Sequence, residues 1–276
     1  MYKIAYYKLE NYHQCPLRVV LMEQFGYSGK LFLPQFLGLV NHEYFEILIG
    51  KWAGYEETFD RDATIERILR EREPAFTIDE AMKALERQPY EVWTENLMNI
   101  LNTEEKPNGF LREYKREMNI GSGVLLTGVC DILLERENGR EVVDLKFTRR
   151  KEHYNRNQLL IYSYLFETDT FSYLFFEANG SVEKKTMRIE GNEAKRNRLL
   201  GELKYLGIRI GKRDFAGFRP KHGATCHPNR CAMWDYCPAV INWEQEGVNE
   251  YAEYHYGEIL EGVSAEDELF FDDRPE

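Results

Sequence analysis

The stretch "GVCDILLERENGREVVDLKF", residues 128–147, decides the fold, because it reads as a β-hairpin that carries charged residues among apolar ones. Its Asn-Gly pair (138–139) lies between two runs rich in valine, leucine and isoleucine and favours a two-residue hairpin turn. Such a turn places Asp131 opposite Lys146 and puts Asp144 on the same face, since side chains alternate along a strand. We expect the three groups within roughly 5 to 8 Å of one another.

Two interpretations of this charged group are open. Asp and Lys across a strand pair can form an exposed salt bridge worth less than about 1 kcal/mol. Alternatively, two neighbouring carboxylates repel each other unless a divalent cation lies between them, and hard oxygen ligands suit Mg²⁺ or Mn²⁺. Such a metal activates water and polarises a phosphodiester, while a nearby lysine stabilises the developing charge.

The order Asp131, then Asp144-Leu145-Lys146, resembles the PD-(D/E)XK nuclease superfamily, and more closely its RecB-like branch. That branch also has a helical GxxxHxxxE motif, to which "GLVNHEYFE" (38–46) is similar, and a QxxxY motif, to which "QLLIY" (158–162) is similar. The resemblance implies a catalytic lysine, two helper residues, and a metal held by side chains and one backbone carbonyl. The catalytic lysine would be Lys146, and the two helper residues would be Gln158 and Tyr162. The metal ligands would be His42, Asp131, Asp144 and the carbonyl of Leu145. Glu46 and Glu117 are looser matches to the family pattern.

The five cysteines give a second line of inference. One stands alone at Cys15, and three lie in "CHPNRCAMWDYC" (226–237), whereas Cys130 reads as a small core residue. The first residues lack the apolar core of a signal peptide, and no apolar run is long enough for a membrane span, so we expect a cytoplasmic protein. In that compartment clustered cysteines indicate a metal more often than a disulfide.

The one-plus-three layout of Cys15, Cys226, Cys231 and Cys237 favours a 4Fe-4S cluster, because structural zinc sites prefer two close pairs. Structural zinc stays open, with His222 or His227 in place of Cys226. The same layout resembles the iron-sulfur RecB-like nucleases, among them CRISPR-associated RecB-like exonucleases and the AddB nuclease domain. One departure is that four residues, where the family commonly has two, separate the first two cysteines of the trio.

The predicted fold class is α/β, a restriction-endonuclease-like mixed sheet flanked by helices. We expect a strand over 110–120, a second Asn-Gly hairpin within 171–190 and a helix over 193–211. The predicted RecB-like nuclease domain spans residues 1–243 and is followed by an acidic tail. Within that domain lie a helical insertion at about 58–105, with a capping box at Thr77 and Glu80, and the cysteine segment at about 222–240.

Charge is unevenly distributed along the chain. Residues 244–276 contain twelve acids and one arginine, so this tail accounts for the whole formal charge of −11. Residues 141–230 hold eighteen lysines and arginines against eleven acids. Such a basic segment can grip DNA phosphates, although ordinary solvated helix faces would look the same. The candidate DNA-binding residues are Arg149, Arg150, Lys151 and Arg156, followed by Lys184, Lys185 and the run from Lys195 to Arg198.

The favoured function is a divalent-metal-dependent DNA nuclease, an exonuclease acting on single strands or duplex ends. The alternative is an iron-sulfur DNA-binding module that serves a helicase, recombination or CRISPR-integration partner with little or no cleavage. A third reading is a zinc-stabilised RNA-processing protein. The full acid-acid-lysine set favours the nuclease, since a pure binding module has no chemical need of it.

Overall fold

The structure is a computed structural model that describes residues 1–25, 31–147, 155–189, 192–219, 221, 231, 233 and 237. The described residues divide into two compact units, one from Met1–Leu9 with Lys30–Asp214 and one from Glu10–Gly29 with Phe215–Glu276. The predicted acidic tail and most of the cysteine segment lie outside the described residues. Within the described part, no helix is long and apolar enough to cross a membrane.

The described chain forms six strands and eight helices in a mixed order. The strands are β1 (Tyr2–Ile4), β2 (Gly109–Gly121), β3 (Val124–Arg136), β4 (Gly139–Lys146), β5 (Thr170–Phe176) and β6 (Val182–Arg188). The helices are α1 (Tyr6–Gln14), α2 (Pro16–Phe25), α3 (Leu33–Trp52), α4 (Arg61–Glu71), α5 (Ile78–Glu86), α6 (Tyr90–Leu101), α7 (Arg156–Phe166) and α8 (Glu193–Gly211). The predicted strand at 110–120, the second hairpin and the helix at 193–211 are confirmed.

A mixed sheet lies at the centre of the larger unit, with helices on both faces. Its strand order is β1-β3-β4-β5-β6, with β2 pairing to β3 as well. On one face α3 and α6 bury a cluster of large apolar side chains that includes Phe45, Trp93 and Phe176. On the other face α7 approaches so closely that a Cβ on Gly128 would lie 2.6 Å from Leu165. This layered α/β arrangement agrees with the predicted fold class.

One edge of β3 is shared by two different strands. β1 pairs in parallel with residues 124–126 of β3, and β4 pairs antiparallel with residues 132–136. Between these two ladders, residues 127–131 pair with no strand of the described chain on that edge, while β2 covers the opposite edge. The sheet therefore opens into a fork beside Asp131, which leaves room for side chains in the plane of the sheet.

The hairpin register differs from the one predicted from the Asn-Gly pair. Arg136 pairs with Gly139 and Ile132 with Val143, so the turn is Glu137–Asn138 and the pairing of Asp131 with Lys146 is wrong. Among these residues only Gly139 has a positive φ, at 125°. Because neither turn residue adopts the left-handed region that the expected turn demands, the glycine closes the hairpin as the first residue of β4.

The expectation that Asp131, Asp144 and Lys146 share one face is also wrong. Val143 and Leu145 pack in the cluster under α3, so Asp144 and Lys146, which alternate with them, point to the other face. Asp131 lies on the α3 side, within reach of His42. Asp131 on β3 and Asp144 on β4 therefore approach each other across the fork.

The alternation of β3 reverses next to Asp131. Val124 packs on Gly207 of α8 and Gly128 on α7, whereas Ile132 and Leu134 face α3 on the opposite side. All four have even numbers, so an undistorted strand would place them on one face. In the neighbouring strand β2, Glu113 has a φ of 45°, a left-handed conformation that is rare for a non-glycine residue.

The helical insertion contains α4, α5 and α6. Thr77 accepts a hydrogen bond from the Glu80 N–H while the Glu80 side chain accepts one from the Thr77 N–H, which confirms the predicted capping box. A second apolar cluster, with Val40, Ile65 and Leu85 among its members, packs α4 and α5 on the first half of α3. Helix α3 thereby joins the insertion to the sheet.

The smaller unit has its own apolar contacts. Leu21 and Met22 of α2 are buried with Met233, and Leu17, Cys231 and Cys237 pack around them. Lys221 Nζ donates to the carbonyl of His13 at 3.2 Å. Residues far apart in the sequence thus meet in one cluster.

Candidate active site

Helix α3 presents His42 and, one turn later, Glu46 on the same side. His42 Nδ1 lies 3.4 Å from Asp131 Oδ2 and 3.7 Å from Glu46 Oε1. Phe147 packs edge-on against the imidazole, with ring centroids 5.3 Å apart. Phe45 is completely buried between α3 and the sheet and fixes the rotation of the helix. This packing aims His42 and Glu46 at Asp131.

Side chains satisfy the backbone groups that the fork leaves without strand partners. Asp131 Oδ2 accepts a hydrogen bond from the Leu145 N–H at 2.8 Å. On α7, the Tyr162 hydroxyl donates to the Val129 carbonyl at 3.0 Å. Buried backbone groups need such partners. The two bonds therefore stabilise the opening and hold Asp131 at its edge.

Asp144 reaches the fork from β4 with Lys146 beside it. Asp144 Oδ2 lies 2.6 Å from Lys146 Nζ, and the Lys146 ammonium is 5.9 Å from the centre of the Tyr173 ring. The same Asp144 oxygen is buried, and the neighbouring Lys146 ammonium compensates its charge.

Negative charge is concentrated at this site and shifts the pKa values of its ionisable groups. Burial raises the pKa of Glu46 to about 7, with the charge of Asp131 adding to the effect and the hydrogen bond to His42 opposing it. Burial and the charge of Asp131 likewise raise the pKa of Asp144 to about 6, against the effect of Lys146. Burial alone would lower the pKa of His42, but Glu46, Asp131 and Asp144 together raise it.

Three of these residues form a group that could hold a metal ion. Ligand atoms of His42, Glu46 and Asp131 all lie within 4.8 Å of one another. One imidazole and two carboxylates suit a divalent cation such as Mn²⁺, and Asp144 brings a third carboxylate close by. The predicted metal set named His42, Asp131, Asp144 and the Leu145 carbonyl and left Glu46 out. The sequence signal that could have added Glu46 is its position four residues after His42 on the same helix, which places both side chains on one side.

Gln158 and Tyr162 lie on α7 as the QxxxY motif predicts. Burial raises the pKa of Tyr162 to about 12, a hydrogen bond with Gln158 opposes this, and the charges of Asp144 and Asp131 add to it. The tyrosine is therefore close to the acids, although its hydroxyl is engaged with the Val129 carbonyl. Gln158 and Tyr162 form a support on the α7 side of the fork.

A cavity of about 280 Å³ opens from the His42, Glu46 and Asp131 group. Its walls come from α3, α4, β2 and β3 within the larger unit. The lining residues are Leu39, His42, Glu43, Glu46, Arg67, Ile68, Glu71, Arg72, Glu113, Val129 and Asp131. The candidate metal group is therefore reachable from solvent, and part of the helical insertion forms one wall of the approach.

Several other predicted residues do not join this group. Arg149, Arg150 and Lys151 lie outside the described residues, and Arg156 is exposed at the start of α7. The Nζ of Lys184 lies 2.7 Å from Glu104 and 3.0 Å from the buried Glu141, so ion pairs within the protein engage it, and its contact with DNA stays a prediction. Glu117 on β2 is ion-paired with Lys3 on β1 and with Lys115 on its own strand.

The cysteines divide between the two units. Cys15, Cys231 and Cys237 belong to the smaller unit, and none of them is in a disulfide. Burial raises the pKa of the Cys231 thiol, and Cys15 and Cys237 are near enough to add to the effect. Cys226 lies outside the described residues. Cys130 is buried in β3, as predicted, and burial raises its pKa to about 12.

Comparison with known proteins identifies the superfamily of this chain. The family description of the PD-(D/E)XK nuclease superfamily matches residues 3–238, so the chain belongs to that superfamily, whose members are in general metal-dependent nucleases. No curated protein matches the sequence. One similar solved structure is the crystal structure of SSO0001, with 14% identity, a TM-score of 0.35, and coverage of 77% of this chain and 87% of that one.

Proposed function

We propose that the protein is a divalent-metal-dependent deoxyribonuclease of the RecB-like branch. The observation that carries this proposal is the convergence of His42, Glu46 and Asp131 within 4.8 Å, beside the fork that Asp144 and Lys146 reach from β4. Mn²⁺ or Mg²⁺ bound there would supply an activated water and a counter-charge for the scissile phosphate.

Each residue then has a chemical role at this site. His42, Asp131 and Asp144 hold the cation together with the carbonyl of Leu145, and Glu46 contributes to the same group. Lys146 orients the attacking water through its ammonium and stabilises the charge that develops on the phosphate. Gln158 and Tyr162 support the fork from α7.

The proposed substrate is single-stranded DNA or a duplex end, cut exonucleolytically. The resemblance to iron-sulfur RecB-like nucleases supports this part of the proposal, and bases of a single strand could stack on the abundant tyrosine and phenylalanine side chains. Arg149, Arg150, Lys151 and Arg156, which follow β4 in sequence, would hold the DNA backbone.

We propose a 4Fe-4S cluster on Cys15, Cys226, Cys231 and Cys237, with structural Zn²⁺ as the alternative. The proximity of three free cysteines in one compact unit supports it. The cluster would tie the segment near residue 15 to the segment at 222–240 without redox chemistry. Iron and sulfide would turn concentrated, oxygen-protected protein brown, and zinc would leave it colourless.

Residues 1–243 would act as one nuclease domain in the cytoplasm, with 244–276 as an acidic tail. A helicase, a recombination protein or a CRISPR-integration protein would be its partner, as the resemblance to iron-sulfur RecB-like nucleases implies.

The test is digestion of 5′- and 3′-labelled single- and double-stranded DNA by oxygen-protected protein with Mn²⁺, beside Asp144→Ala. We expect cleavage of single strands that is lost in the variant, with the label pattern giving the polarity. Equal inactivity of both proteins with DNA binding retained would replace the nuclease by the DNA-binding module.

A further inference from the structure

The cavity beside the metal group is lined by acids and by two arginines. Besides Glu46 and Asp131, its acids are Glu43, Glu71 and Glu113. Arg67 and Arg72, from α4 and the residue that follows it, line the same space. A polyanion that met the acids alone would be repelled. A guanidinium in the same cavity offers it a binding partner.

The two arginines differ in what already binds them. Arg67 donates to Glu43 at 2.5 Å and lies 3.9 Å from Glu71, so its guanidinium is largely engaged. Arg72 is half-buried, and within the described part of the chain it makes no ion pair and no hydrogen bond through its side chain. A half-buried guanidinium has five donors to satisfy, and a phosphate matches them with two parallel hydrogen bonds.

Exposed apolar side chains line the cavity as well. Leu39 on α3 is 38% exposed and Val129 on β3 is 47% exposed, and both belong to the lining. The other large apolar side chains of α3 and β3 are buried or partly buried. Leu39 and Val129 thus form an apolar wall in a cavity that also contains the metal group and Arg72.

We propose that Arg72, Leu39 and Val129 form a subsite for one nucleotide of a single DNA strand next to the cleaved phosphodiester. The Arg72 guanidinium binds the phosphate of that nucleotide, and Leu39 and Val129 contact its sugar and base. This inference rests on the proposed nuclease function and adds the residues that hold the strand.

The matched pair Arg72→Gln and Arg70→Gln tests the phosphate contact. Arg70 lies on α4, is 73% exposed and pairs with Glu66 at 2.7 Å, so it serves as the control. Binding of a labelled single-stranded oligonucleotide is measured in an Asp144→Asn background at several salt concentrations. We expect about tenfold weaker binding for Arg72→Gln and a salt slope smaller by about 0.7, the value for one lost phosphate contact on a single strand. Arg70→Gln should change neither quantity.

The apolar wall is tested with Leu39→Gln and an oligonucleotide that contains abasic sites. Leu39→Gln should weaken binding of the normal strand by severalfold and leave binding of the abasic strand unchanged. Leu111→Gln is the control, because Leu111 is similarly exposed on β2 but does not line the cavity.

Arg72→Lys guards against a folding defect, since it keeps the charge and should recover most of the affinity at an unchanged unfolding temperature. Equal affinities of Arg72→Gln and Arg70→Gln, with Asp144-dependent cleavage intact in the otherwise unmodified protein, would overturn the subsite alone. Absence of both cleavage and DNA binding in the unmodified protein would overturn the nuclease function and the subsite together.

Discussion

Among single residues, Glu46 is a buried acid of the candidate metal group. Its carboxylate is buried next to Asp131, and burial raises its pKa to about 7. In the metal-free protein this carboxyl holds a proton that an exposed glutamate would release near pH 4.5. A bound divalent cation would displace that proton, so metal binding should strengthen as the pH rises.

Metal-free Glu46→Gln should be less sensitive to pH than the unmodified protein. Because the folded state binds the proton more tightly than the unfolded state, this group stabilises the fold below about pH 4.5 and loses that contribution as pH rises through about 7. We expect the variant to gain up to about 3 kcal/mol over the unmodified protein at pH 8 and little at pH 5. Urea unfolding in EDTA across this range measures the difference, and parallel curves would contradict the assignment.

At the scale of elements, the fork between β1 and β4 is what creates the site. It removes strand pairing from residues 127–131 of β3 and lets the Asp131 carboxylate accept from the β4 backbone. The left-handed conformation of Glu113 lies in β2 at the position where the alternation of β3 reverses. Irregular strands of this kind often lie next to active sites.

Tyr162→Phe should weaken the fork. The hydroxyl donates to the Val129 carbonyl at 3.0 Å, and loss of this solvent-accessible hydrogen bond should cost about 0.5 to 1.5 kcal/mol. We also expect cleavage to slow, because Val129 lines the cavity beside Asp131. Thermal unfolding and single-turnover cleavage measure the two effects.

Tyr164→Phe is the matched control on α7. The Tyr164 ring packs against Arg196, and its hydroxyl makes no hydrogen bond to any described residue. Equal losses in the two variants would show that the Tyr162 hydroxyl has no special role.

A buried ion network, separate from the candidate metal group, joins Glu141 of β4 to β3 and β6. Glu141 accepts from Arg136 at 2.7 Å and lies 3.0 Å from Lys184, which is only 13% exposed and also pairs with Glu104. Burial tends to raise the pKa of Glu141, but Lys184, Ser172 and Arg136 together lower it.

Lys184→Met should destabilise the protein by about 3 kcal/mol, because it leaves a buried carboxylate with one cation fewer. Lys185→Met, at the exposed neighbouring position, should change stability by less than about 1 kcal/mol. Urea unfolding at neutral pH compares the two variants. A loss of DNA affinity in Lys184→Met without loss of stability would instead favour a phosphate contact.

At the scale of the whole molecule, the two compact units carry different chemistry. The larger unit holds the acids, the histidine and the lysine of the candidate site, while the smaller unit holds Cys15, Cys231 and Cys237. The buried Cys130 belongs to the larger unit and lies beside Asp131 in the sequence. No other cysteine among the described residues belongs to that unit. The cysteines can therefore be tested separately from catalysis.

Cys231→Ser should abolish the brown colour and the bound iron and lower the unfolding temperature, since a cluster that binds only the folded state stabilises it. Cys130→Ala is the control and should keep colour and iron. Iron and sulfide analysis with absorption spectra measures both. Retention of full iron content in Cys231→Ser would exclude this cysteine as a ligand, and zinc in place of iron would favour the alternative.

Local sequence signals determined much of this protein. The motif order over residues 38–162, the helix that carries His42, the QxxxY helix, the second hairpin and the Thr77 capping box could all be predicted, because each depends on spacing or turn chemistry within a few residues. The resemblance to the PD-(D/E)XK superfamily used the same local motifs, and the family match over residues 3–238 confirms it.

Only the tertiary structure decided how these parts meet. The hairpin register depended on which residue could adopt a positive φ. Gly139 does so, the turn lies one residue earlier than expected, and each β3 residue pairs with the β4 residue two positions before the expected one. Glu46 joined the metal group because Phe45 packs α3 against the sheet. Arg72 and Leu39 reached the cavity because α4 packs on α3. Contacts between distant segments follow from the burial of apolar surface in three dimensions, which no short stretch of sequence specifies.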